Sequence, residues 1–268
     1  MKYFFTFLLF SLSSFYIARS QNMVLNGGFE QFNPCPNTLS QVDHCVNWDQ
    51  PTNGTSDYFN TCANPNATVG VPQNFAGYQT PYQGNAYVGF YNYGASYREY
   101  ARGTMTPLVV GETYQVTIHI CRSNFQVTSS DGFEVFFYKD GIGAPTNVTT
   151  NLAVTPQIDY GPLYGIITDT VNWITMTTTY TADSAYSHVI IGNFRNDANT
   201  NYTGQQNNYA YYYLDSVDVS PISFNLIPSH TDVSCNGGND GTASVTATNG
   251  TPPYTYHWLP GNQTTASI

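Results

Sequence analysis

From Thr113 the chain alternates without interruption: Tyr114, Val116, Ile118 and Ile120 are apolar, and Thr113, Gln115, Thr117 and His119 stand between them. A two-residue period places the two sets on opposite faces of an extended strand, so this segment is a strand with one dry and one wet face. "NWITMTTTYTA" repeats the pattern, with Ile174, Met176, Thr178 and Tyr180 opposed to Trp173, Thr175, Thr177 and Thr179. "DGFEVFFYKDG" and "SHVIIGNF" read as further strands bounded by Gly, Asp and Asn turn residues. No segment holds a helical period over three turns. The expected fold class is therefore all-β, two antiparallel sheets packed as a sandwich or jelly roll. Composition agrees: 16% of residues are aromatic and only 9% charged, which suits half-buried strands and excludes a disordered chain.

The first twenty residues, "MKYFFTFLLFSLSSFYIARS", combine Lys2, an apolar run and the small residues Ala18 and Ser20. This is the pattern of a secretory signal peptide over 1–20. Removing Lys2 and Arg19 leaves five basic residues against 17 acidic ones, a formal charge of −12. Such a surface repels nucleic acid. No later run is long and apolar enough to cross a bilayer, so no direct membrane insertion is expected. The expected localisation is secreted or cell-surface.

Cys35, Cys45, Cys62, Cys121 and Cys235 would then meet an oxidising compartment, where disulfides persist. The first four permit three pairings, and spacing alone selects none. No Cys or His pair stands at zinc-ligand spacing.

Pro221 and Pro228 bracket a short connection. The chain is expected to divide into one β-domain over 21–220, a linker over 221–230 and a smaller module over 231–268. The last piece is too short to bury a core alone, so it reads as the start of a module. The partner of Cys235 is expected downstream.

Within that module, "SCNGGNDGTASVTATNGTPPYTYHW" resembles the SprB-type repeat of Bacteroidetes surface adhesins. The resemblance implies an immunoglobulin-like β module used as a spacer in large exported proteins, some linked to gliding motility and type IX secretion. The first region resembles galactose-binding-like jelly rolls, notably carbohydrate-binding modules of families 4 and 22. It does so through "MVLNGGFE", Trp48, "PLVVGETYQVTIHI" and "YYYLDSVDV". It is also similar to an N-terminal domain of Bacteroidetes surface proteins carrying "NGGFE", "CP", "PTNGTSDYFNTC", "VPQNFAGYQ", "GNAYVGF" and "YREY".

These resemblances imply a structural calcium held by the first-strand Glu30 and the last-strand Asp215, with Asp57 a further candidate. Hard cations take several oxygen ligands, which carboxylates and carbonyls supply. They also point to the bridge Cys35–Cys62, at the "CP" and "DYFNTC" positions, and Cys45–Cys121 is expected beside it as an added pair. In "YAYYYLDSVDVS" neither face is apolar under strict alternation. A bulge near Asp215 would let Tyr212 and Leu214 share the core with Val217 and Val219.

No H-E-x-x-H, G-x-S-x-G or phosphate loop is present, and nothing pairs the carboxylates as a glycosidase requires. The expectation is no enzyme. Sugar binding asks only for ring faces and planar polar groups. The candidates are Tyr91, Tyr93, Tyr97, Arg98 and Glu99, with His119 and Arg195 on other strands. The expected function is an adhesin-like surface protein. Its jelly roll binds a polysaccharide or cell-surface glycan, and its repeat acts as spacer. Two alternatives stand beside it: a structural cap that contacts envelope or motility proteins, and an accessory module of a hydrolase encoded downstream.

Overall fold

The computed structural model describes residues 21–64, 67–139, 148–205, 208–222, 225–248, 254–259 and 261–268. The expected signal peptide lies outside the described residues. Its strands in chain order are β1 (Trp48–Asp49), β2 (Asp57–Asn60), β3 (Gln73–Asn74), β4 (Gly77–Tyr78), β5 (Ala86–Tyr93), β6 (Ala101–Thr104), β7 (Thr113–Arg122) and β8 (Ser129–Ser130). They continue with β9 (Glu134–Tyr138), β10 (Ile158–Asp159), β11 (Ile174–Thr181), β12 (His188–Gly192), β13 (Tyr202–Thr203), β14 (Ala210–Pro221), β15 (Asn225–Thr231) and β16 (Thr242–Thr248). The α-helix described is a single turn, Gly161–Tyr164.

Two five-stranded antiparallel sheets carry the fold. One has the order β1-β6-β12-β9-β10 and the other β11-β7-β14-β5-β2. The chain passes repeatedly between them, which is the antiparallel sandwich the alternation predicts. Tyr114, Val116, Ile118 and Ile120 of β7 meet Val135, Phe137, Val189 and Ile191 in the interior. The opposite set on β11 behaves as expected: Met176 is buried, and Thr175, Thr177 and Thr179 are exposed.

β14 carries the expected bulge. Its pairing with β7 shifts between Asp215 and Asp218, where Ser216 takes a left-handed φ of 51°. That extra residue reverses the facing of everything after it. Tyr212, Leu214, Val217 and Val219 all reach the central core, while Tyr211 and Tyr213 face outward into a second cluster with Phe59, Val69 and Tyr87. This cluster lies under the chain that crosses the outer face of the second sheet.

The connection expected over 221–230 is shorter than that. β14 runs to Pro221, and β15 begins at Asn225 and pairs with β16 from Asn225↔Thr248 to Thr231↔Thr242. Leu226 and Pro228 share a face with Val245 and Ala247, so these apolar residues make the segment a strand where its prolines suggest a link. Pro228 lacks an N–H, which an edge strand tolerates. The segment ending at Ile268 adds to β16 through Val245 N–H donating to Ala266 O at 3.0 Å and Ala243 N–H donating to Ile268 O at 2.9 Å.

Candidate functional site

The outer face of the first sheet holds an open cleft of about 590 Å³. Its floor follows from alternation on three neighbouring strands. Ala101 of β6 and Val189 and Ile191 of β12 point into the core, so Arg102, Thr104 and His188 point out. Register then aligns them: His188 pairs with Thr104 on one side and Tyr138 on the other, and Arg102 pairs with Asp49. Thr104, His188 and Tyr138 form one cross-strand row, with the rings of Tyr138 and His188 stacked at 5.0 Å and 29°. Beside the row, Arg102 donates Nε–H and one NH2 group to the two oxygens of Asp49, each at 2.5 Å. This bidentate contact raises the guanidinium pKa above its ordinary value. Asp43 and Asn47 line the rim. Gly103 is required here because a Cβ would come within 2.8 Å of the Trp48 ring.

A second arrangement joins the two ends of the first domain. Glu30 accepts from the Asn85 and Ala86 amides at 2.8 and 3.1 Å. Asp215 accepts from the Tyr82 and Gln83 amides at 2.8 and 3.2 Å. Burial pushes the Asp215 carboxyl up to about 7; the two amides oppose this, and the charge of Glu30 adds to it. Asp215 Oδ1 is buried and has no hydrogen-bond partner among the described residues. An orphaned carboxylate oxygen close to a second carboxylate is a place a hard cation fits. No group of three or more His, Cys, Asp or Glu stands at metal distance among the described residues. Of the three expected ligands, Glu30 and Asp215 are the two that would supply carboxylate oxygens to a calcium ion here. Asp57 does not join them. Its carboxylate accepts from Tyr211 O–H at 2.6 Å and Ser40 N–H at 2.7 Å, and its charge acts on Glu99.

The structure turns most of the sequence-predicted sugar contacts inward. Arg98 is 1% exposed, lies over the Tyr93 ring at 5.6 Å and pairs with Asp197 at 2.7 Å. Tyr93 is buried and stacks on Tyr202. Glu99 is 2% exposed and accepts from Tyr91 N–H and Tyr97 O–H, both at 2.8 Å. Burial first and Asp57 second push its carboxyl up to about 7. Arg195 is enclosed by Asp131, Glu134 and Asp159. His119 is buried, bonded through Nδ1 to Ser216 O at 3.0 Å, and carries the exposed Tyr82 ring stacked on it at 3.7 Å. Of the predicted set, Tyr91, Tyr97 and Arg195 keep part of their surface open, the two tyrosines with Tyr209 against both rings and Arg195 with its head group held by the three carboxylates. Few basic residues and many strand tyrosines left these groups to satisfy one another inside the fold.

Cys35 and Cys62 form a disulfide. The expected Cys45–Cys121 bridge is corrected: both are free and buried. Cys45 sits in the central core against Phe29 O. Cys121 belongs to the outward set of β7, beside Gln79 Oε1 at 3.3 Å. The second sheet therefore separates the two thiols.

Sequence reasoning missed Asp49, Arg102, Tyr138 and His188. Each lies at an outward position of a short strand, and only the sheet order brings them together.

Sheets and cleft together define an antiparallel β-sandwich with an open polar groove on one outer face, followed by a β-hairpin module. Residues 228–263, within that module, match the family model described as SprB repeat. No protein of curated function matches the chain in sequence. Among solved structures, the chain is similar to the CBM22-1 xylan-binding domain of Paenibacillus barcinonensis Xyn10C, at 12% identity and a TM-score of 0.40, over 76% of this chain and 97% of that one. It is also similar to the K1 cleaved adhesin domain of Lys-gingipain from Porphyromonas gingivalis W83, at 16% identity and a TM-score of 0.37, over 72% and 95%. The K2 cleaved adhesin domain of Lys-gingipain gives 11% and 0.38 over 71% and 96%. Likenesses this low add nothing to what the sheets themselves define.

Proposed function

We propose that this is an exported, non-catalytic binding protein whose first-sheet cleft takes a glycan of the surrounding surface or matrix, with the SprB-type hairpin module as spacer. The observation that carries the reading is the alignment of Thr104, His188 and Tyr138 beside the Asp49–Arg102 pair in one open groove. Neighbouring hydroxyls on a sugar match the lone pairs of Asp49 and the N–H groups of Arg102 that their mutual bidentate contact leaves over. The half-buried His188 ring, held in place by its stacking on the buried Tyr138, offers a flat surface to the C–H side of the same sugar. Of the two carboxylates that line the cleft, Asp49 is tied to Arg102 and Asp43 stands at the rim, and the groove is assigned binding rather than bond cleavage. The SprB-repeat match supports a cell-surface or secreted setting.

Calorimetric titration of the purified protein with soluble oligosaccharides from xylan, β-glucans and mannans tests this reading. Binding by at least one series is expected, weakened tenfold or more by Arg102→Ala and by His188→Ala. Absence of binding to all of them, or binding indifferent to both variants, sinks it.

A further inference from the structure

The outer face of the second sheet carries an arrangement that the cleft does not use. Tyr82 is 46% exposed, yet its ring is fixed: it lies on the His119 imidazole at 3.7 Å, and its backbone N–H donates to Asp215 at 2.8 Å. His119 pairs with Thr175 of β11. Two residues before Thr175 on the same face, Trp173 is partly open to solvent. Its indole is also fixed, with Nε1–H donating to Thr80 O at 2.9 Å and its ring edge-on to Tyr87 at 5.9 Å. From these rings a double row of hydroxyls runs along β11 and β7. Thr177 meets Thr117 at 3.0 Å and Thr181 meets Thr113 at 2.9 Å, with Thr179 beside Gln115 between them.

We infer that this strip is a second binding surface, and that its ligand is an extended neutral polysaccharide lying along β11. Two immobilised ring faces supply stacking at no ordering cost. The threonine hydroxyls, each both donor and acceptor, match sugar hydroxyls of either role. None of the strip's threonines, Gln115, Tyr82 or Trp173 carries a charge, and the charged side chain beside them, Asp218 of β14, cross-strand from Thr117 and partly exposed, repels an acidic polymer. Nothing on the strip rewards an acidic polymer. β11 has eight residues and so extends about 26 Å, room for several sugar units in a row. The strip and the cleft lie on opposite outer faces, so one molecule would bridge two chains and gain avidity on a solid polymer that it lacks on a short soluble sugar.

Native affinity electrophoresis of the whole protein through gels containing xylan, mannan, β-1,3-glucan or polygalacturonate is the test. Retardation by one or more of the three neutral polymers is expected. Tyr82→Ala, and separately Thr179→Lys, which puts a charge on the strip without touching the core, should each weaken it at least fivefold while melting temperature stays unchanged. Arg102→Ala should leave a strip-dependent part of the retention in place. Four results would overturn the proposal: retention indifferent to both strip variants, retention abolished by Arg102→Ala alone, retardation by polygalacturonate only, or none in any gel. The third leaves an acidic ligand for the cleft; the second leaves the cleft reading intact and removes only the strip. Capture of a protein through Tyr82 and Thr179, with no polymer binding, would assign the strip to a protein partner and equally overturn the inference.

Discussion

Glu30 and Asp215 fasten opposite ends of one loop: Asp215 holds the amides of Tyr82 and Gln83, and Glu30 those of Asn85 and Ala86. Gly84, between the two pairs, has a left-handed φ of 67° and no room for a Cβ beside the Glu30 carboxylate. Residues near the start and the end of the first domain are thereby tied to the edge of β5.

Calcium is expected to raise the melting temperature of the protein, and chelator to lower it. A ligand at a hundred times its dissociation constant stabilises by about 2.7 kcal/mol. Asp215→Ala should abolish the calcium response. If chelator and the variant both leave the transition where it was, no ion sits there.

Stability should depend on pH through Asp57 and Glu99. Their carboxyls are pushed up to about 6 and about 7, in both cases first by burial, whereas in the unfolded chain they titrate near 4. Between pH ~4 and ~7 the folded state therefore binds more protons than the unfolded one, and stability falls as pH rises through that window. Glu99→Gln removes the charge and turns an NH2 group toward either the Tyr91 or the Thr55 amide, each of which donates to the carboxylate. It should flatten the pH profile without restoring the full stability of the acid form. Urea melts at pH 5 and pH 8 measure the effect, and an unchanged slope in the variant would contradict the assignment.

Non-reducing peptide mapping should find one bridge, Cys35–Cys62, which closes a separation of 27 residues. Its reduction should cost about 3–4 kcal/mol by the loop-closure argument. The exposed Cys235 should react with a thiol reagent in the native protein, while Cys45 and Cys121, both buried, react only on unfolding. Burial pushes the Cys121 thiol up to about 12 and raises that of Cys45 further. A mapped Cys45–Cys121 peptide would refute this arrangement.

Deleting Ser216 removes the bulge and turns Val217 and Val219 out of the core. Loss of a cooperative unfolding transition is expected. Leu214→Ala, which keeps the bulge and empties a buried site, should instead destabilise by about 2–5 kcal/mol. Circular dichroism melts separate the two outcomes.

The strands of the sandwich were legible because their signal is local. Alternation in β7 and β11 assigns a face to each residue from its immediate neighbours, and the conflict of faces in "YYYLDSVDVS" announces its own bulge. The Cys35–Cys62 bridge was readable through resemblance; the separation of Cys45 from Cys121 was not, because no local signal tells which side of a sheet a cysteine will occupy once the sheet has its neighbours. Tyr93, Arg98 and Glu99 stood together as a polar, aromatic cluster. Whether such a cluster faces solvent depends on what packs above it, and here Asp197, Tyr202 and Thr55 close over it.

By itself, then, the sequence determined the class of fold, the inward and outward faces of its longer strands, and the residues of one bulge, since each follows from a period of two along the chain. Which outward residues meet was decided only by the tertiary structure. Sheet order places Asp49 beside Arg102 and His188 between Thr104 and Tyr138, and lays Tyr82 on His119. These partners come from strands and loops remote in sequence, and contacts between remote segments are set by packing of the whole core, which no local pattern encodes.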